Sequence, residues 1–381
     1  MSPSAPTTAT ALSLREHFAR VVLPTWRGAG FNEALTLPYE ALAADGRRPL
    51  PAVRYRAMAC ARQLFVFAQA GDTDHAQRLF EALLHYFQDK RHGGWFYSVD
   101  TQGAPLDTTK DLYTHAFVVF ACAEYGARSG NRDAFDMVHR TSAVIEERFS
   151  VLDGAHAGSH TSAHAAKNLL HGLYHAALNS DFSSVTGAPL QNPLMHLTEA
   201  WLAARQATGD AAYDTVLERL CNAVARAFVH APTGCIAELP IGSADNWLEP
   251  GHQFEWFWLV RQAGGLLRQS GLDELLSRAF LFAQQHGVDA TTGGVALALD
   301  EQGASRDATQ RIWAQSEYLR ALAVHPDAGV RAALPRQIER FSERFLSPQG
   351  WHECKTAAGD VTRDDMPSTT PYHLATAYAA L

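Results

Sequence analysis

Apolar residues recur at three- and four-residue spacing through most of the chain, the signature of amphipathic helices. The helical runs come in pairs: 52–70 with 73–88, 110–129 with 131–148, 192–208 with 210–229, 250–270 with 272–286, and 310–324 with 328–345. The joints AGDTD, SGNRD, TGDAA and SGLDE combine a glycine stop with a polar start, as in αα-hairpins. Two further helices, near 12–23 and 369–381, have no sequential partner. Between pairs lie GGWFYSVDTQGAPLD (93–107), GGVALALDEQGASRD (293–307) and GWHECKTAAGDVTRD (350–364). Each reads as a short β-hairpin, and their likeness marks an internal repeat.

The first helices of the pairs start near 52, 110, 192, 250, 310 and 369, at intervals of 58, 82, 58, 60 and 59 residues. These first helices are apolar all round and the second ones more charged, so an inner ring sheathed by an outer ring is expected. The spacing predicts an all-α fold, an (α/α)6 barrel of six helical hairpins with short β-hairpins in the connecting loops. An open α-solenoid is the alternative. The two orphan helices would meet at the seam. Residues 11–381 read as one domain, 1–10 as a flexible tail, and 150–190, which carries the extra length, as an insertion or lid-like loop.

Composition narrows the function. The 381 residues carry a net charge of −8, which argues against a nucleic-acid partner. No run of 18 apolar residues suggests a membrane span. The five cysteines are scattered without a CxxC, and the N-terminus lacks a secretory signal, so a reducing cytoplasm is expected. The chain has no GxGxxG after a strand, no GxxxxGK[ST] and no GxSxG.

Histidine is abundant, with 18 copies. Aligning the first helices by eye puts His115, His196, His252 and His373 at one phase, with Ser316 in the fifth. Imidazoles gathered at helix starts can serve as neutral bases. Glu255 follows His252 by one helical turn, Arg62 is a charge in an apolar helix, and Glu317 and Arg311 enter the fifth helix. Trp95, Trp313, Trp351 and Tyr113 could stack on a sugar ring. His156, His160, His164, His171 and His175 cluster in 150–190 without interleaved carboxylate or cysteine, so a solvated face is expected there rather than a metal site.

The segments ARQLFVF (61–67), GGWFYSVD with DLYTHAFVVFA (93–121), QNPLMHLTEAWLA (191–203), EPGHQFEWFWL (249–259), RIWAQSEYLRAL (311–322) and PYHLATAY (371–378) resemble the N-acylglucosamine 2-epimerase superfamily in order and nearly throughout the chain. The resemblance implies the same barrel and a sugar isomerase or epimerase. It implies that His252 and His373 are the acid/base pair, that Glu255 supports His252, and that Arg62 holds a substrate oxygen. It also implies that His115, His196, Tyr113, Asn192, Trp313 and Glu317 line the pocket. EPGHQFEW looks closer to the mannose-isomerase branch, so interconversion of an aldose and its ketose is expected, with 2-epimerisation of N-acetylglucosamine or cellobiose as the alternative. The 150–190 stretch and Thr369–Thr370 depart from the family pattern. A glycoside hydrolase using two carboxylates and a non-catalytic sugar-binding repeat protein are more distant readings. The proton chemistry calls for no metal and no cofactor. The partner expected is a small carbohydrate, and a homodimer is compatible with the sequence.

Overall fold

The computed structural model describes residues 8–151, 169–267 and 270–381. Six helices form an inner layer: Ala57–Ala70, Leu112–Ser129, Gln191–Thr208, Pro250–Gln262, Ile312–Val324 and Thr370–Ala380, the first to sixth inner helices below. Each packs on the next, and the sixth packs on the first, so the contacts close a cycle. Thr73–Ala82, Arg132–Val144, Ala212–Phe228, Leu272–Gly287 and Leu334–Phe345 form an outer layer, each against the inner helix before it. The sixth outer position is filled from the other end of the chain. Helix Thr8–His17 runs through a π-helical turn, Phe18–Val22, and packs on the sixth inner helix. There Phe18 meets Tyr378 edge-on at 6.0 Å, and Arg15 Nε donates to the Tyr378 carbonyl at 3.2 Å.

The two layers follow from the side chains. The first inner helix is buried continuously from Ala57 to Ala68, and its small residues let neighbours approach closely. The outer helices are one-sided: Leu334, Ile338, Phe341 and Phe345 repeat at helical spacing on a buried face. Gly71, Gly130 and Gly209 close three inner helices in the left-handed conformation, which only glycine adopts without strain.

The three expected hairpins are present. Ser98–Val99 pairs with Pro105–Asp107, Ala298–Leu299 with Ser305–Asp307, and Cys354–Lys355 with Val361–Arg363. In the first two the turn is built identically: Asp100 accepts from the Gln102 and Ala104 amides, and Asp300 from those of Gln302 and Ala304. Strands entering the inner helices add to these hairpins or pair elsewhere. Tyr55–Arg56 joins Ser98–Val99, Gln310–Arg311 joins Cys354–Lys355, and Ala41–Leu42 pairs with Met366–Pro367 across the seam.

Several boundaries differ from expectation. The N-terminal helix begins at Thr8, inside the expected tail. The fourth inner helix stops at Gln262 rather than 270, because Gly264 turns to φ +62° just beyond it. The stretch 328–345 is a helical turn, Ala328–Arg331, and a separate helix beginning at Leu334–Pro335, where proline fits the first turn. Within 150–190, Ala177–Leu178 pairs with Lys110–Asp111, so the far end of that stretch belongs to the regular framework. His156, His160 and His164 lie outside the described residues. His171 is exposed and His175 half-buried. Among the described residues, no helix is long and apolar enough to cross a membrane.

Candidate active site

The inner helices are pinned at their starts by backbone hydrogen bonds of one kind. The amides of Ala57, Leu112, Gln191, Ile312 and Ser368 donate to the carbonyls of Tyr97, Ala176, Glu238, Glu353 and Glu40 at 2.9–3.2 Å. In the fourth helix Pro250, which has no N–H, holds the corresponding place. Counting five residues from each pin gives Arg62, Phe117, His196, Glu255, Glu317 and His373. These six residues form one level of the ring, and the side chains confirm their proximity. Donor atoms of Glu255, Glu317 and His373 lie within 4.8 Å of one another, as do those of His196, Glu199 and Glu255. The Arg62 guanidinium lies 4.2 Å from the Phe117 ring centre.

This register differs from the one that the sequence spacing predicts. His196 and His373 share the level. His252 lies three residues nearer the helix start, and His115 two residues nearer. His115 moreover has no free nitrogen: Nδ1 lies 2.8 Å from the Asp111 carbonyl oxygen, and Nε2 accepts the Trp95 amide at 3.1 Å. That pairing fixes a neutral ring, and burial pushes its pKa down to about 3. Gln253 and Gln315 do the same work two and three hairpins on. They accept from the Ile236 and Val295 amides at 2.8 and 2.7 Å and donate back to the Glu249 and Arg311 carbonyls at 3.2 and 3.1 Å. His115 is therefore a framework clamp rather than a pocket residue. Replacing it by glutamine should leave turnover near wild type and change stability by less than about 1 kcal/mol, while His115→Ala, which orphans both backbone groups, should cost about 2 kcal/mol. Denaturant unfolding and initial rates check this; loss of activity in His115→Gln would return His115 to the pocket.

His252 and His373 are both buried, each with a carboxylate on Nδ1, yet their settings are opposed. His252 Nδ1 is 2.7 Å from Glu238 Oε1 and 3.6 Å from Glu249 Oε2. Burial opposes its charge, but Glu238, Glu249 and Glu255 outweigh burial and lift its pKa to about 10. Glu238 is held in turn by Gln191, whose amide nitrogen donates to both its oxygens at 3.0 and 3.1 Å, and Gln191 accepts the Trp256 indole N–H at 2.7 Å. His373 Nδ1 is 2.8 Å from Glu317 Oε1. Burial, with the nearby charges of Arg62 and His196, holds His373 well below the usual histidine range. Burial also raises Glu317, against the pull of Arg320. Trp313 is close to both imidazoles, its ring 4.9 Å from His252 and 5.7 Å from His373. The glycine before His252 permits this, since a β-carbon at Gly251 would come within 2.7 Å of the Trp313 ring.

Glu255 is the least satisfied group at this level. It is 1% exposed, and neither carboxylate oxygen has a hydrogen-bond partner. Burial, together with Glu317 and Glu199, raises its pKa well above the usual carboxylate range. Its oxygen lies 3.8 Å from His196 Nδ1, so it is close to His196 as well as to His252. A buried acid without partners is costly, and the hydroxyls of a ligand would relieve it. Arg62 Nε and Asn192 Oδ1 are likewise buried without partners. Arg62 Nη2 donates to the Tyr113 hydroxyl at 2.7 Å, and the Tyr113 ring packs edge-on to His196 at 4.8 Å.

Behind these residues lies a second layer that sequence reasoning missed. Glu199 is 3.4 Å from His196 Nδ1, accepts Arg320 Nη2 at 3.4 Å and accepts the Tyr372 hydroxyl. Burial works against its charge, but His196 and Arg320 hold it down to about 2. Arg320 Nη1 donates to Glu317 at 3.2 Å, and the guanidinium stacks 3.4 Å over Trp258. A signal for these residues was present. His196–Glu199, His252–Glu255 and Glu317–Arg320 are all polar pairs at i,i+3 in apolar helices. Glu238 carried no such signal, because it sits in an irregular segment after an outer helix.

The family model for N-acylglucosamine 2-epimerase matches residues 39–377, and the chain belongs to that family. It is a sugar isomerase or epimerase. It is 25% identical to a mannose-6-phosphate isomerase of Rhizobium meliloti (strain 1021), over 92% of this chain and 91% of that one. Among solved structures it resembles a cellobiose 2-epimerase of Bacillus thermoamylovorans B4167, with a TM-score of 0.82, 17% identity and coverage of 98% and 99% of the two chains. A D-mannose isomerase structure matches with a TM-score of 0.80 and 19% identity, over 99% of both chains. At these identities the structural likeness speaks for the fold.

Proposed function

We propose that the protein is an aldose–ketose isomerase of the mannose–fructose type, acting on the free sugar within an (α/α)6 barrel. The observation that carries the reading is the pair of buried imidazoles beside Trp313 in opposed settings: His252 with Glu238 and Glu249 at 2.7 and 3.6 Å, which favour its protonated form, and His373 buried near Arg62, which favours its neutral form. In an opened aldose the C2–H lies beside the C1 aldehyde. His373 takes the C2 proton, and His252 gives a proton to the carbonyl oxygen as the enediol forms. His373 then returns the proton to C1 while the C2 hydroxyl loses its own proton to His252, and the ketose results. Arg62 steadies the charge that builds on the oxygens, and Glu255, His196 and Asn192 meet the substrate hydroxyls. Tyr113 and Glu317 act through Arg62 and His373.

The level just before the helix pins supports a sugar without a phosphate. It holds Arg56, Asp111, Glu249 and Arg311. Arg56 is spent on Glu40 at 2.6 Å, and Arg311 lies 3.7 Å from Glu353. Arg311 is thus held only loosely, but Glu249 acts on the same region and would repel a phosphate. Product analysis with mannose, fructose and mannose 6-phosphate tests this. kcat/KM for mannose should exceed that for its 6-phosphate by at least about a hundredfold. A preference for the phosphate would overturn the assignment. The presence of two buried imidazoles beside Trp313 also favours a second reading, 2-epimerisation, in which His252 returns the proton to the opposite face of C2. Glucose rather than fructose as the first product from mannose would select it.

Glu238 sets the alkaline limit. His252 acts as an acid while protonated, so activity should hold through neutrality and fall as pH rises toward about 10. Glu238→Gln removes the carboxylate 2.7 Å from Nδ1. The alkaline limb should then move down by at least about one pH unit, so that activity on the limb falls on the order of tenfold while activity at acidic pH changes little. An unchanged profile would show that Glu238 does not set the charge of His252.

A further inference from the structure

Three residues beyond the site level the inner helices carry Phe65, Phe120, Glu199, Trp258 and Arg320. There Arg320 crosses from the fifth inner helix to Glu199 on the third, at 3.4 Å, with side chains 2% and 4% exposed. The ring is plugged on that side. A sugar with C1 and C2 at His252 and His373 therefore extends its remaining carbons toward the helix starts. His252 stands three residues, about 4.5 Å of helix, from the level just before the pins. At that level one cation is unspent. The Arg311 guanidinium lies 5.9 Å from the centre of the Trp313 ring, the ring that is close to both imidazoles. Its charge reaches Glu249, whose Oε2 is 3.6 Å from His252 Nδ1. Its counter-charge Glu353 is 3.7 Å away, beyond hydrogen-bond length. Glu353 has donors of its own, Trp351 Nε1 at 3.0 Å and Thr370 Oγ1 at 2.8 Å. Among the described residues, no acceptor hydrogen-bonds the Arg311 guanidinium, and the side chain is 39% exposed. Arg56, the other cation of this level, is bound to Glu40 at 2.6 Å.

We infer that Arg311 is a specificity-determining residue: its guanidinium donates to the hydroxyl at the far end of the sugar, the one on C6 of a hexose. A guanidinium offers several N–H donors and no acceptor, so the group it takes is an oxygen. Glu249 beside it makes a neutral hydroxyl the better fit than an anion. The hydroxyls nearer the reacting carbons face Glu255, His196 and Asn192 at or near the deeper level, which leaves the far one to the helix starts. Arg311 would thus measure the length of the chain and the presence of its last hydroxyl, while the imidazoles act at C1 and C2. The inference rests on the aldose–ketose reading for where C1 and C2 lie.

Initial rates on mannose and on 6-deoxymannose, which lacks only that hydroxyl, test the inference. In the wild-type protein kcat/KM for mannose should exceed that for 6-deoxymannose by about tenfold. Arg311→Met keeps an apolar stem beside Trp313 and removes the donors. Its kcat/KM should fall about tenfold for mannose and stay within about twofold of wild type for 6-deoxymannose. Equal kcat/KM for the two sugars in the wild-type protein would overturn the inference, and so would a preference that Arg311→Met leaves unchanged. If Arg311→Met does not fold, Arg311→Gln takes its place with the same expectation. A protein that converts mannose to fructose with either overturning result keeps the proposed function and loses this residue. Glucose as the first product would change the reaction and leave the comparison of the two sugars as it stands. A protein that converts neither sugar would lose both the function and the residue.

Discussion

His373→Ala is expected to lower kcat/KM by about a thousandfold or more, with the fold retained. The ring is 7% exposed, is kept neutral by its surroundings, and has Glu317 2.8 Å from Nδ1. Its loss leaves Glu317 and Glu255 without a base between them and Trp313. Burial raises both carboxyls, and Glu317 is already engaged by Arg320 Nη1 at 3.2 Å. The neighbouring His196, also buried and lowered to about 4, sits on a different inner helix, so it does not occupy the place His373 leaves. Circular dichroism separates loss of the base from loss of the fold. Near-wild-type activity in a folded His373→Ala protein would remove the base from the mechanism.

Arg320→Met should have the largest effect on stability. Arg320 is the buried cation shared by Glu317 and Glu199, at 3.2 and 3.4 Å. Methionine restores much of the volume against Trp258, so packing loss is small. What remains is two buried carboxylates that have lost their counter-charge, and breaking a buried ion pair from one side costs about 3–5 kcal/mol. Denaturant unfolding should show that loss. Adding Glu199→Gln should recover part of it, because one of the two carboxylates left without a counter-charge is then neutral. A stability change below about 1 kcal/mol in Arg320→Met would mean that these carboxyls are already protonated in the fold and that Arg320 is not their support.

The inner and outer layers were legible because burial writes itself into composition: a helix such as Ala57–Ala70, buried nearly all round, cannot carry the polar face of Leu334–Phe345. The seam was legible too, since a helix near each terminus lacked a partner. The register was not. Sequence spacing aligned His115 with His196, whereas the backbone pins place Phe117 there, two residues on. Helix starts are fixed by hydrogen bonds to distant carbonyls such as Tyr97 and Ala176, which leave no local mark. His252 was found from its motif, but its charge state comes from Glu238, fourteen residues away in an irregular segment. A glutamine at 253 and 315 in the place of His115 was the available clue that the position is structural.

In the proposed reaction an imidazole-borne proton moves at C2 and C1 of an opened sugar. Incubating the wild-type protein with mannose in deuterium oxide and following the products by nuclear magnetic resonance tests it most directly. The account predicts fructose carrying deuterium at C1, deuterium at C2 of recovered mannose, and neither in His373→Ala. Fructose formed by wild-type protein without any solvent deuterium, or exchange undiminished in His373→Ala, would contradict it.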